Sequence, residues 1–312
     1  MGKQFKLDLF DSDKRDKIDE LLYLTGRYRK SQEFYELIEF CAKFKTLSPF
    51  NAMLVQMQRP GAKYVLTASA WIKKYNAKVN LNARPLIILV PFGPVDCVFD
   101  IDDTDITDKK LCLESLVNPF KTKGSIGEKI YNTLVGNLKF LSIRLVPVQF
   151  GNQQNAEIRF CKDVRTIEFE FLDYKKVKKK IRLPQYYQIS VSNNNDMTDN
   201  FASIIHELGH FFCEHLITPK NKWWSPRNIN HSIKEFEAET IAWLVCERAG
   251  IKNPSEKYLA GYIKDNAEIP NISIEMILKA VNQIEQLFEP ISISKSFLAK
   301  QDDYVKNQLK SN

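Results

Sequence analysis

The stretch SIIHELGHFF, Ser203 to Phe212, holds two of the four histidines in a chain of 312 residues. The other two, His215 and His231, follow within the same window of 26 positions. On a helix, residues four apart stand one above the other, so His206 and His210 project from one face with Glu207 one position round. Phe201, Ile204, Ile205, Leu208, Phe211 and Phe212 fill the remaining face and predict a helix anchored in a core. Asp196, Thr198 and Asp199 each offer an N-cap oxygen for a start near Asn200. The spacing is H-E-x-x-H. In it two neutral imidazoles hold a zinc ion, and the carboxylate between them serves as general base toward the water that the ion activates. Gly209 takes away a side chain beside this point and suits tight packing there.

Such a site needs a third ligand. The position six after His210 is Leu216, so the ligand is not a histidine there. His215 is half a turn out of phase with His206 and is expected to point away for as long as the helix persists. The better source is IKEFEAETIAWLVCE, read as a second helix from about Ile233 to Ala249 and closed by Gly250. Glu235 and Glu239 share a face of that helix, whereas Glu237 points roughly opposite and is expected to face solvent. The reading makes Glu235 the ligand and Glu239 the acceptor for a ligand histidine's other N–H, with the reverse assignment as the alternative. His231, with Tyr258 or Tyr262, is a candidate to stabilise an oxyanion, or else caps its helix. Trp223 and Trp224 either wall a groove or cover the core. Zinc follows from the ligand types, with manganese as the alternative.

Composition excludes some classes. A chain with 44% hydrophobic residues buries a real core, and its longest apolar runs, such as PLIILVPF (Pro85 to Phe92), are far too short to span a membrane. The first residues, MGKQFKLDLF, lack the apolar segment of a secretory signal. The six cysteines are scattered with no C-x-x-C pair, which fits reduced thiols in the cytoplasm. Charge is uneven: residues 121–182 carry a net +8, whereas 183–312, with all the histidines, are mildly acidic.

Along the chain, residues 13–45 read as one or two amphipathic helices and Asn51 to Gln58 as another, stopped by Pro60-Gly61. A short strand at 63–66, a helix around 68–75, and strands in PLIILVPF and CVFDI complete a small α+β unit. A Pro, Gly and Lys cluster at roughly 117–128 looks like a linker. The expected organisation is therefore a domain over 1–120 and a second over 121–312. In the second, KFLSIRLVPV reads as a strand. EIRFC, TIEFEF and KKIRLP alternate like a β-meander, and YYQISVS leads into the histidine helix. SEKYLAGYIKDN and SIEMILKAVNQIEQLF read as helical, and the tail from Ser292 as loose.

HELGH followed by EFEAE resembles the gluzincin-like metallopeptidases of the ImmA/IrrE group, and more closely the ArdC antirestriction proteins. SPFNAMLVQMQRPGAKYVLTASAWIKKYNAKV is similar to the ArdC N-terminal pattern, CVFDIDDTDIT to the strand that closes that domain, and YLAGYIKDN…ISIEMILKAVNQIEQL to the family's C-terminal helices. The resemblance covers about residues 30–290. It implies a DNA-binding N-terminal domain for single strands, then a zincin-like metallopeptidase domain with an active-site helix, a mixed or antiparallel sheet and C-terminal helices.

Phe40 to Val95 carries eight basic residues and no Asp or Glu. Lys63, Lys73, Lys74, Lys78 and Arg84 interleave there with Tyr64 and Trp71, the mixture of cations and aromatic faces that binds single strands without reading sequence. KKVKKKIR (Lys175 to Arg182) either extends such a path or protects a hairpin edge. The expected protein is thus a zinc metallopeptidase with a domain for single-stranded DNA. The rivals are a non-proteolytic DNA-binding antirestriction factor with a structural metal, and a regulatory peptidase that cleaves one repressor.

Overall fold

The computed structural model describes residues 30–90, 95–106, 124–149, 156–172, 178–218, 224–251 and 268–291. Residues 13–29, most of the 117–128 cluster, the SEKYLAGYIKDN segment with Tyr258 and Tyr262, Trp223, and the tail from Ser292 lie outside them. The described part is a mixed α+β structure of seven helices and two three-stranded sheets. No helix among the described residues is long and apolar enough to cross a membrane.

Helix α1 (Ser31–Lys43) and helix α2 (Pro49–Gln58) come first. Ser48 caps α2 by accepting from the Asn51 N–H, and Pro49 occupies the first turn, where its missing N–H leaves nothing unpaired. Strand β1 (Val65–Leu66), helix α3 (Ala68–Tyr75), strand β2 (Leu86–Ile88) and strand β3 (Asp96–Asp100) follow. They form an antiparallel sheet in the order β1-β3-β2. Its β2 edge is sealed by α2. The Gln58 amide exchanges two hydrogen bonds with the backbone of Ile87, and the Asn51 amide does the same with Leu89. Trp71, Tyr64, Ala77 and Ile101 make a small core under this sheet.

Helix α4 (Glu128–Asn137) leads through a short 3-10 turn into strand β4 (Ile143–Val148). Strands β5 (Ala156–Leu172) and β6 (Lys178–Ser192) complete the second sheet, ordered β4-β6-β5, with β4 parallel and β5 antiparallel to β6. The meander expected over 157–192 is thus one long hairpin arm. No turn residues separate EIRFC from TIEFEF; the irregularity there is a register shift between Phe160 and Arg165, a bulge within β5. Across the arm Lys180 pairs with Glu170 and Arg182 with Glu168, so these two cations of the basic run have partners.

Helix α5 (Met197–Phe212) carries the histidine motif, helix α6 (His231–Ala249) the glutamates, and helix α7 (Ile274–Gln286) closes the core. Asp196 caps α5 by accepting from the N–H groups of Thr198 and Asp199, so α5 starts three residues before Asn200. The apolar face of α5 is buried against the second sheet, α6 and α7. Helices α1 and α2 join the same core: Phe34 meets Phe236 on α6, and α2 packs on α7. Arg248 on α6 ties this junction. Its side chain is 4% exposed, and the guanidinium donates to both Glu285 carboxylate oxygens and to the carbonyls of Cys41, Phe44 and Leu47 at and just beyond the end of α1.

Candidate metal centre

Helices α5 and α6 approach most closely at Gly209. A Cβ there would stand 3.0 Å from the Cα of Ala238 and 3.4 Å from its carbonyl oxygen, closer than a side chain tolerates. The missing side chain lets α6 lie against α5, and Glu235 and Glu239 flank Ala238 on the helix so held.

Across this contact three donors converge. His206 Nε2 and His210 Nε2 are 3.2 Å apart. The Glu235 carboxylate lies 3.5 Å from the first through Oε2 and 3.4 Å from the second through Oε1. Zinc–ligand bonds of about 2.0–2.1 Å at tetrahedral angles set neighbouring donor atoms about 3.3–3.4 Å apart. The two imidazole nitrogens stand at about that spacing, and Glu235 turns one oxygen to each of them, so the three side chains are placed to share an ion. Glu239 is turned to the outer nitrogen of His206, 3.6 Å from Nδ1. His231 opens α6, but Asn230 provides the cap. The His231 side chain is 86% exposed, with Nδ1 3.4 Å from Glu235.

Glu207 is buried, and its Oε2 accepts from the Ile158 N–H at 2.8 Å. Strand β5 lies at the sheet edge, so this N–H points away from β6 and is free for the carboxylate. Burial pushes the Glu207 carboxyl up to about 7, only partly offset by His206 and the Ile158 bond. Burial, aided by the His206 ring, holds His210 well below the usual imidazole range. For His206 burial works downward too, but the hydrogen bond to Glu235, with Glu207 and Glu239 near, outweighs it and raises the value. Two imidazoles facing each other at 3.2 Å do not both carry a proton charge.

Two expectations are corrected here. His215 does not point away from the site, because α5 ends at Phe212. Glu214 takes the left-handed backbone region at φ 60°, and the chain turns back so that the His215 N–H reaches the His210 carbonyl. His215 Nδ1 then lies 2.9 Å from His210 Nδ1. Glu237 does not face solvent. It is fully buried, with Oε2 2.8 Å from His215 Nε2, both oxygens on the Arg227 guanidinium, and Oε1 accepting the Ser273 N–H. Burial works against its charge, but the bonds from His215 and Arg227 outweigh it and keep the carboxyl low. Spacing alone did not reveal Arg227, His215 or Glu237 as parts of this site.

The residues read as a DNA surface divide in two. Trp71 is fully buried, donates its indole N–H to the Phe99 carbonyl, and packs on Tyr64 and Tyr75; Tyr64 is buried beside it. Both rings fill the small core, so neither offers a face to a base. Lys63 reaches Asp102, and Arg59 pairs with Asp103, so the acidic run after β3 folds back on the basic stretch. Lys73, Lys74, Lys78 and Arg84 are exposed. Trp224 is buried, donates to the Leu216 carbonyl and meets Phe211 edge-on, which makes it core rather than groove wall. No protein-family model matches this chain, and no curated protein or solved structure shows significant similarity to it.

Proposed function

We propose that the chain is a zinc-dependent hydrolase acting on peptide bonds, with the metal held by His206, His210 and Glu235. The observation that carries this reading is the convergence of two imidazoles and a carboxylate from two helices, the imidazole nitrogens 3.2 Å apart and a Glu235 oxygen within 3.5 Å of each, with a buried carboxylate one position from the first ligand. Two imidazoles and a carboxylate suit zinc better than manganese, which favours more oxygen donors. Bound there, the ion would supply Lewis acidity and an acidified water. Glu207, raised toward neutrality by burial and anchored through one oxygen on β5, suits proton transfer in either direction: it takes a proton from the water and returns one to the leaving amine. The peptide as substrate rests on the resemblance of HELGH and EFEAE to the ImmA/IrrE-type and ArdC-like proteins.

The test is metal content by elemental analysis beside hydrolysis of a mixed peptide library. Wild type should hold about one zinc per chain, and His206→Ala and Glu235→Ala should lose it. Glu207→Gln should keep the zinc and lose the hydrolysis. Zinc retained in Glu235→Ala would pass the ligand role to Glu239, and no zinc in wild type would end the reading. A second reading, contact with single-stranded DNA, is supported by the exposed Lys73, Lys74, Lys78 and Arg84. With Trp71 and Tyr64 in the core it takes a narrower form, attraction to phosphates without stacking.

A further inference from the structure

Beyond the three donors the structure holds a buried polar chain that runs outward from His210. Its members are the His215 ring, the Glu237 carboxylate and the Arg227 guanidinium, linked at 2.9, 2.8 and 2.5 Å. The His215 side chain is 1% exposed and that of Glu237 is 0%. Cys213, His215 and Glu237 also lie close enough together to resemble a second ion site. Both Glu237 oxygens are already taken by Arg227, His215 and the Ser273 N–H, so that cluster is a hydrogen-bonded support and not a ligand set.

The order of donors and acceptors along the chain is fixed from its outer end. Glu237 is an acceptor on every side, so His215 must present an N–H at Nε2. A neutral His215 has then spent its only proton, and its Nδ1 is a bare acceptor. The atom 2.9 Å away is His210 Nδ1, which must therefore carry the proton of its own ring. That leaves His210 Nε2 bare, and Nε2 is the atom facing His206 Nε2 and Glu235. The opposite tautomer of His210 would set two bare acceptors against each other at Nδ1, and the opposite tautomer of His215 would turn a bare nitrogen to the Glu237 carboxylate.

We infer that His215, held by Glu237 and Arg227, is a positioning residue that fixes the tautomer and the ring orientation of His210, so that Nε2 is presented to the metal before any metal arrives. This rests on the metal reading given above. It gives His210 an imidazole as outer partner, where His206 has the Glu239 carboxylate 3.6 Å from its Nδ1. A neutral acceptor adds no negative charge behind the ligand, so the outer partners of the two ligand histidines differ in charge.

The test is nitrogen NMR of the histidine rings in metal-free protein labelled at histidine, with signals assigned by single substitutions. The expected result is His210 protonated at Nδ1 and His215 at Nε2. His210 protonated at Nε2, or His215 doubly protonated at neutral pH, would overturn the inference. The second readout is zinc affinity by chelator competition. His215→Phe keeps the ring volume and removes the acceptor, and should weaken binding by about 10–100-fold. His215→Asn keeps an acceptor oxygen toward His210 and should recover most of that loss. Equal affinity in both variants, whether retained or lost, would reduce His215 to packing. Wild type that binds no zinc would sink the metal centre and this role with it, whereas reversed tautomers in a zinc-binding protein would sink the inference alone.

Discussion

Replacing Gly209 by Ala puts two effects of opposite sign on one residue. Within a helix Ala is favoured over Gly by about 1 kcal/mol, so propensity alone stabilises the variant. The added Cβ, however, meets the Ala238 Cα at 3.0 Å and its Cβ and carbonyl oxygen at 3.4 Å. The first of these atoms is backbone, so it cannot swing aside, and α6 must retreat by a few tenths of an ångström. Overpacking of this kind costs about 1–3 kcal/mol, which leaves a net loss of about 0–2 kcal/mol. The larger effect falls on the metal centre. Glu235 moves with α6 while His206 and His210 stay on α5, so the 3.4 and 3.5 Å donor separations open. A loss of about 1.4 kcal/mol in binding corresponds to tenfold in affinity, and the variant should lose at least about that much. The assays are urea unfolding of metal-free protein and chelator competition for zinc. Adding Ala238→Gly removes only the Cβ contact and should restore the affinity in part. A variant about 1 kcal/mol more stable than wild type, with zinc affinity within about twofold of it, would refute the close-contact argument and leave propensity as the whole effect.

Other expectations follow from features away from that contact. Arg248→Met removes a buried guanidinium that satisfies Glu285 and three carbonyls; unfolding should become easier by about 3–5 kcal/mol, and a loss under about 1 kcal/mol would show the tie to be idle. Burial pushes the Cys41 thiol up to about 12. The unfolded chain ionises first, so stability should fall by about 1.4 kcal/mol per pH unit above roughly pH 9, and Cys41→Ala should flatten that slope. Trp71→Ala should cost about 3–5 kcal/mol as a core deletion, so any effect on DNA must be read against a melting curve. If single-stranded DNA binds, Lys73→Ala with Lys74→Ala should lower the slope of log affinity against log salt by about 1.4, and an unchanged slope would remove these lysines from the path.

Local signals made much of the candidate site legible. Helix α5 announces itself through apolar positions at helical spacing and a capping aspartate, and α6 through Gly250, left-handed at φ 80°, whereas its cap is Asn230 and not His231. Glu235 and Glu239 could be brought to His206 and His210 because periodicity alone puts them on one face. The return of His215 could not be read in the same way. It depends on a left-handed backbone at Glu214, a residue type that carries no mark for it. Glu237 failed for another reason: its burial is bearable only because Arg227, from the preceding loop, and the Ser273 N–H arrive by tertiary folding. In Phe40 to Val95 composition misled, since lysines around Trp71 and Tyr64 look alike whether the rings stack on bases or on one another. The β5–β6 arm was read as separate strands because a bulge interrupts alternation as a turn does, yet leaves the chain running on in the same direction.

The seal between α2 and β2 bears on how the small sheet finds its alignment. Asn51 and Gln58 sit two helical turns apart and meet backbone groups of Leu89 and Ile87, two residues apart on an extended strand. Only alternate residues of a strand turn their N–H and C=O to a given side. A slip of β2 by one position against β3 would leave both amides facing empty sites. The same slip would turn Leu86 and Ile88 outward and Ile87 inward. The helix therefore gauges the strand at two points, and misaligned pairings lose four hydrogen bonds together with their buried face. For a sheet with strands of only two to five residues, that gauge supplies the discrimination which so few strand–strand bonds could not provide by themselves.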